Sequence, residues 1–264
     1  MEVYVRKADG RLEPFDEAKV RRTLKRIGTP SDRIDLVVEE VKERIYNGIS
    51  TKDIYLIIRD QLRKLRHPSS ERVRLKEAMM LLGPSGFKFE GFIAELFEKL
   101  GYKTRLDVVL KGKCANHEID VLLNDNIIVE CKYHNQAGIY TGLKEALYTA
   151  MRAIDLMEAG FNVEEVWLVT NTKFSREARE FAKCRGIKLL GWREPEDRGL
   201  EDIIEEFKLY PITMLSTITN EELNLLAKER VYTLSSLIFR NIENIREDRL
   251  RELRKEARKI IEKG

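Results

Sequence analysis

A chain of 264 residues, 43% hydrophobic and 35% charged, has room for two or three domains with cores of their own. Its net charge of only +3 excludes a globally basic surface, so any affinity for a polyanion must come from local patches. Three cysteines without paired spacing exclude a disulfide framework and fit a reducing cytoplasm, and neither a signal peptide nor a membrane-length apolar stretch is read. Abundant Lys, Arg and Glu with two Gln residues fit a thermophile, where charge networks gain weight.

The N-terminal elements begin with Val3 and Val5 alternating with Tyr4 and Arg6, a strand pattern. Asp9-Gly10 marks a hairpin turn, and a short second strand runs to Phe15. Asp16 caps a helix to about Ile27 that carries Lys19, Arg22 and Arg26 at helical spacing, a basic face that solvation alone would explain. Further helices are expected at about 31–46, 51–66 and 69–82, with Pro84-Ser85-Gly86 as a linker. There is no Walker A motif and no G-x-G-x-x-G.

Two motifs in this region carry a resemblance. V-x-K-x-D-G-R-x-E-x-F-D-x-x-K spans residues 5–19, and I-S-T-K-D-I spans 49–54. Residues 1–83 thereby resemble the ATP-cone, the nucleotide-sensing regulatory unit of ribonucleotide reductases and related repressors. The resemblance implies an adenine nucleotide, ATP or dATP, as a regulatory ligand. Lys7 and Lys19 would meet its phosphates, with Arg11 as a further contact. Glu13 and Asp16 would face the base or sugar, and Thr51 would lie in the pocket. Two positions depart from the pattern: Ala8 replaces a basic residue, and Tyr55 stands where His is common.

Residues 87–100 read as an amphipathic helix. On the helical wheel Phe92, Ile93, Leu96, Phe97 and Leu100 cluster around Phe89. Glu90 falls at the edge of that stripe, while Glu95 and Glu98 fall on the wet side. Gly101 ends the helix. Two apolar strands follow that end in charge: Glu118-Ile119-Asp120-Val121, and Asn126 to Lys132 with Glu130-Cys131-Lys132 at its end. Strand side chains alternate faces, so Glu130 and Lys132 share one and Cys131 points the other way with Ile127 and Val129. Two carboxylates on paired strands can hold a hard divalent cation. An ammonium beside them can orient the attacking water and offset phosphate charge. The same alternation also arises on a solvated sheet face with a surface ion pair, although the apolar run before it reads as a central strand. Downstream come a helix over 142–159, a strand over 165–170, a Ser175-capped helix to 185 and a strand over 187–191, which together predict a mixed sheet covered on both faces.

The order F-E at 89–90, L-G at 100–101, E-I-D at 118–120, V-E-C-K-Y-H at 129–134, T-N-T-K-F-S at 170–175 and G-W at 191–192 resembles the PD-(D/E)XK superfamily, and within it the Mrr-like restriction endonucleases. The resemblance covers residues 84–212. It implies Mg²⁺ (or Mn²⁺) held by Asp120, Glu130 and the backbone carbonyl of Cys131, with Lys132 as the catalytic lysine and Glu90 as a helix-borne acid assisting the metal. Many Mrr relatives carry Gln where this chain has Glu130. His117 and His134 flank the motif as structural or solvent-facing residues. Gln136, Lys111 and Lys113 are weak candidates for DNA contact.

The remainder, 213–264, reads as helices starting near 218, 235 and 246 with a turn at 231–234. It is similar to helix-hairpin-helix units, which offer turn N–H groups to phosphates. It lacks their G-x-G, and a packing or dimerisation bundle is the other reading. Altogether the sequence predicts an α/β protein: a mixed-sheet restriction-endonuclease-like core, a mainly helical N-terminal unit with a β-hairpin, and a helical C-terminal unit. The expected function is a Mg-dependent DNA endonuclease tuned by ATP or dATP, cytoplasmic and homodimeric, with RNA still open as a substrate. The alternative is a non-catalytic, ATP-responsive DNA-binding regulator that uses a nuclease-like fold.

Overall fold

The computed structural model describes residues 3–65, 75–83, 87–136 and 138–262. The expected helix start at 69 and the linker 84–86 lie outside the described residues. In the N-terminal unit, β1 (Tyr4–Arg6) and β2 (Leu12–Pro14) form an antiparallel hairpin with Val5 opposite Glu13. Gly10 closes the turn at φ 84°, in the left-handed region that suits glycine. Asp16 caps α1 (Glu17–Arg26), its carboxylate accepting the Ala18 N–H at 2.9 Å. Next, α2 (Ser31–Arg44) stops two residues before the expected end because Ile45 turns to extended backbone. Then β3 (Ile49–Ser50) pairs parallel with β1 and leads into α3 (Thr51–Lys64), capped by Ser50. The strand β3 is too short to show a period in sequence. These elements close over Leu24, Val37, Val38, Val41, Ile58 and Leu62.

The next helix, α4 (Leu75–Met80), packs into a second, larger core through Leu75, Ala78 and Met79. That core is built on α5 (Phe87–Lys99) and a five-stranded sheet of β4 (Thr104–Lys111), β5 (Asn116–Leu123), β6 (Ile127–Lys132), β8 (Glu165–Thr170) and β10 (Lys188–Leu190). The order is β10-β8-β6-β5-β4. β4, β5 and β6 run antiparallel to their neighbours, while β6, β8 and β10 run parallel. A small parallel pair, β7 (Tyr140–Thr141) with β9 (Lys173–Phe174), lies beyond the ends of β6 and β8. α5 covers one face of the sheet. The other face is covered by α6 (Leu143–Glu158) and α7 (Arg176–Arg185), the latter capped by Ser175 as expected.

One local feature sets up the site. Asp107 in β4 has φ 53°, and the strand pair kinks there. Leu106 and Val121 pack on the α5 side, whereas their second neighbours Val108 and Ile119 pack on the α6 side. Without a kink, residues two apart on a strand share a face. Asp107 and Asp120 sit where the faces exchange.

The chain finishes with α8 (Leu200–Phe207), a 3-10 turn (Ile212–Met214), α9 (Asn220–Lys228), α10 (Leu234–Phe239) and α11 (Glu247–Glu262). Their apolar faces belong to the same core as α5. This corrects one expectation. Glu95 is not on a wet face. It is buried, and it accepts hydrogen bonds from Tyr232 N (3.1 Å), Thr233 Oγ1 (2.6 Å) and Ser236 Oγ (2.7 Å). The helical wheel marks one apolar stripe, but α5 is covered twice, by the sheet and by the C-terminal helices. Gly91, one turn before Glu95, makes room for that second cover: a Cβ there would stand 2.1 Å from the Tyr232 ring. Glu98, as expected, stays at the surface. The helix-hairpin-helix expectation also changes. The N–H groups of Val231, Tyr232 and Leu234 are bound to Leu226 O, Glu95 and Tyr210 O, so this turn does not offer them to a phosphate.

Candidate functional site

The pairing of β5 with β6 ends at Val121 opposite Val129. Beyond it the Asp120 carboxylate takes over, accepting the Cys131 N–H at 2.7 Å. Asp120 is thus fixed against the strand that carries Glu130. Cys131 is buried in the α5-side core, and burial pushes its thiol well above the usual range. Glu130 points to the other face, as the alternation predicts, where Arg152 of α6 pairs with its carboxylate. The Arg152 guanidinium also donates to Tyr148 Oη at 3.0 Å. Glu90, in the first turn of α5, is half-buried at the same place. Burial and then the charges of Asp120, Asp107, Glu130 and Glu118 push it up to about 7. Glu130 is also pushed up to about 7, by burial and Asp120, with Arg152 and Lys132 opposing. Burial raises Asp120 too, against the Cys131 hydrogen bond. Lys132 is exposed on the Glu130 face.

The end of β6 is held by polar groups of the T-N-T run. Thr170 Oγ1 donates to Lys132 O at 2.8 Å. Asn171 accepts from His134 N at 2.9 Å and donates to His134 O at 2.7 Å. The His134 ring meets Thr141 Oγ1 at 2.9 Å, so this histidine is structural. His117 is likewise engaged, with Asp155 Oδ2 at 2.7 Å, and Asp155 also holds the β4–β5 turn through the N–H groups of Cys114 and Ala115. Lys113 pairs with Glu158, Lys111 ends β4, and Gln136 lies exposed beyond β6.

The structure therefore brings Glu90, Asp120 and Glu130 together beside Lys132. Sequence reasoning missed Arg152 and Tyr148, which lie on an ordinary-looking amphipathic helix. It also missed Asp107 and Glu118 as contributors to the acidic field. Among the described residues no three His, Cys, Asp or Glu groups stand ready-made around one ion. A divalent cation nonetheless fits the donors. Magnesium commonly uses only one or two carboxylates plus water. Five carboxylates that repel one another, with Arg152 as the buried counter-charge, leave this cluster short of positive charge.

The N-terminal candidates also gather. Glu13 lies 3.3 Å from Lys7 Nζ and 3.2 Å from Lys19 Nζ, so one carboxylate stands between the two lysines. These are partly exposed pairs, worth about 0–1 kcal/mol each, that an arriving phosphate could replace. Asp16 is occupied as the α1 cap, and Thr51 Oγ1 rests on Arg6 O at 3.3 Å. Arg11 pairs with Asp9 at 2.7 Å and reaches Tyr140 Oη at 3.0 Å, across to the nuclease unit. Tyr55 lies beside Arg193.

Two family models match the chain. Residues 3–76 match the ATP cone domain, and residues 81–194 match a restriction endonuclease domain of the Mrr catalytic type. An uncharacterised protein of Archaeoglobus fulgidus is 42% identical over 176 residues, which is 64% of this chain and 95% of that relative. A crystal structure of a protein of unknown function is similar with a TM-score of 0.61 at 36% identity, covering 68% of this chain and all of the other. A far more distant likeness, to the DNA modification-dependent restriction endonuclease AspBHI, has a TM-score of 0.34 at 16% identity over 61% of this chain and 39% of that one. Among the described residues no helix is long and apolar enough to cross a membrane. With its motifs on the kinked strand pair and a hairpin-and-helix unit ahead of them, the chain carries an Mrr-type restriction endonuclease domain behind an ATP-cone domain.

Proposed function

We propose that the protein is a metal-dependent DNA endonuclease whose activity is tuned by ATP or dATP at the N-terminal unit. The observation that carries the reading is the Asp120 carboxylate locked on the Cys131 N–H, beside Glu130 and the protonatable Glu90. Asp120 and Glu130, with the Cys131 carbonyl, would hold Mg²⁺ or Mn²⁺. When bound, that ion supplies Lewis-acid polarisation of the phosphate and a water of lowered pKa. Lys132, exposed on the same face as Glu130, orients the attacking water and offsets phosphate charge. Glu90, held near neutral pH, can take up or release a proton at its carboxylate beside the reacting phosphate. Arg152 holds Glu130 in place and balances the acids until an ion arrives.

Lys7 and Lys19 would meet the nucleotide phosphates, with Arg11 beside them. Glu13 and Asp16 would lie toward the base or sugar, and Thr51 in the pocket. No hydrolysis is assigned to this site, because the chain has no Walker A motif. Two-strand cutting favours a homodimer that matches the two-fold pseudo-symmetry of duplex DNA, and a cytoplasmic setting suits free thiols. The test incubates purified protein with supercoiled plasmid, with and without Mg²⁺ and ATP. Metal-dependent nicking or linearisation that responds to ATP is expected, and no cleavage under any metal would sink the enzyme reading. A non-catalytic, ATP-responsive DNA-binding regulator is the second reading. It is favoured by one observation, that Glu130 already has a cationic partner in Arg152, and it would be marked by ATP-sensitive DNA binding without cleavage.

A further inference from the structure

A cavity of about 620 Å³ lies between the N-terminal unit and the nuclease unit, away from the carboxylates. Its N-terminal wall is the face of α1 that carries Lys19, Arg22 and Arg26. Spacings of three and four residues put these on one side of a helix. The facing wall carries Lys173 of β9, Arg179 of α7 and Arg193. Against these six cations the lining holds two carboxylates, Glu194 and Glu196. Some of the cations are already matched. Arg179 pairs with Glu194 at 2.7 Å, and Arg193 with Glu201 at 2.6 Å. Arg26 crosses between units to Glu201 and Asp202 at 3.1 and 2.9 Å, and Lys19 has Glu13. Arg22 and Lys173 have no ion pair among the described residues, and they face the cavity from opposite walls.

Cations gathered across a cleft raise the local concentration of anions. The volume falls within the range of about 300–1,000 Å³ for small-molecule sites. Guanidinium groups bind phosphate oxygens in bidentate fashion, and lysine binds them as a point charge. We propose that this inter-unit cavity binds a free oligophosphate, such as the triphosphate tail of a nucleotide, with Arg22 and Lys173 as its main contacts from the two walls. The source of the phosphate rests on the nucleotide-regulation reading above, whereas the site itself does not. A ligand held by both walls stabilises their docked arrangement. Lys173 lies in β9, whose partner β7 follows the active strand β6, so the ligand grips the segment next to Lys132.

The test uses the full-length protein and calorimetry with inorganic triphosphate, ATP and AMP, together with anisotropy on a short DNA duplex. The double variant Arg22→Ala, Lys173→Ala should lose at least about tenfold in triphosphate affinity, the scale of losing two charge-assisted phosphate contacts. Both side chains are exposed, so far-UV dichroism should be unchanged. Arg22→Lys with Lys173→Arg should restore most of the affinity. Arg179→Ala, which frees the Glu194 carboxylate inside the cavity, should also weaken triphosphate binding. Wild-type affinity for triphosphate in the double variant overturns the proposal. Loss of duplex binding with triphosphate binding intact also overturns it, assigning the cations to DNA. ATP binding that depends on Lys7 but not on Arg22 or Lys173 leaves the sensor reading standing and removes this site. Triphosphate bound as well as ATP, and lost in the double variant, supports the cavity and counts against an adenine-specific sensor.

Discussion

Glu95→Ala should loosen the C-terminal helices from the nuclease core. The carboxylate joins α5 to the start of α10 through three donors, at 3.1 Å to Tyr232 N, 2.6 Å to Thr233 Oγ1 and 2.7 Å to Ser236 Oγ. The two hydroxyls can rotate toward other acceptors, but the Tyr232 N–H is fixed in a buried turn and would be stranded. A stranded buried donor costs about 1–3 kcal/mol, and bonds to an ionised group are the stronger kind. The expected total is about 2–4 kcal/mol, with a fall in melting temperature of roughly 5–10 °C for a unit of this size. Glu95→Gln separates the charge from the hydrogen bonds. Burial raises the Glu95 carboxyl above its usual value of 4.5, more than the three donors lower it. A raised folded pKa means that its contribution is fully present below the unfolded value and is lost as pH rises through the folded one. Glu95→Gln cannot ionise, so it should gain on the wild type as pH rises from about 4 to 8. Thermal melts of the three proteins across that range are the assay, with hydrogen exchange at residues 229–240 to localise the effect. If Glu95→Ala melts within about a degree of wild type, and exchange there is unaltered, the clamp does not hold the two parts together.

Asp120→Ala and Glu130→Ala should each abolish plasmid cleavage with far-UV dichroism unchanged, while DNA binding persists or rises because a negative charge near phosphate is gone; wild-type cleavage by both would refute the assignment. Arg152→Ala removes the counter-charge buried against Glu130 and should cost about 2–4 kcal/mol in metal-free protein, partly recovered on adding Mg²⁺, as melts with and without the ion would read. A melt indifferent to the substitution would mean that the Arg152–Glu130 pair has no energetic weight. Lys7→Ala with Lys19→Ala should eliminate ATP binding by calorimetry along with any ATP response, whereas unchanged ATP affinity would move the nucleotide elsewhere.

What could be read in the sequence was what a short period carries. A two-residue alternation put Glu130 and Lys132 on one face and Cys131 on the other, and the structure has them there. A helical wheel put Glu90 at the border of the stripe, and the structure brings it to Asp120 and Glu130. Single-residue chemistry found the Asp16 and Ser175 caps. What could not be read depends on the third dimension. Arg152 is 22 residues from Glu130 and meets it only because α6 crosses the sheet face on which Glu130 points. The kink at Asp107 leaves no local mark, since Asp in β4 reads as an ordinary exposed strand residue. Glu95 looks like a solvated charge until a second layer of helices covers it. Periodicity reports how many faces are apolar, and a polar face that is buried through hydrogen bonds is invisible to it.

The two departures from the ATP-cone pattern find their reason at the contact between units. Ala8, which replaces a basic residue, lies against Gly138 in the segment after β6. A Cβ on Gly138 would come within 3.0 Å of Asp9 N and 3.1 Å of Ala8 C. Gly138 also has φ 92°, so both the space and the backbone there call for glycine. A long basic side chain at position 8 would have to share that crowded approach. Tyr55, which replaces a common His, lies beside Arg193, and Arg193 pairs with the same Glu201 that receives Arg26. On the other flank Arg11 reaches Tyr140 Oη, at the start of the β7 strand that follows Lys132. Residues that the nucleotide motif would lend to a ligand are thus partly engaged in docking the unit onto the nuclease. The segment they touch connects to β6, whose last carbonyl is fixed by Thr170 and whose next residues are fixed by Asn171. A hairpin that changes shape on binding phosphate at Lys7 and Lys19 would move against Gly138 and Tyr140, and these are tied by a few residues of chain to Glu130 and Lys132. The residues expected to meet a nucleotide and those expected to hold a metal are therefore joined by a short, contiguous run of contacts that includes the packing of Ala8 on Gly138.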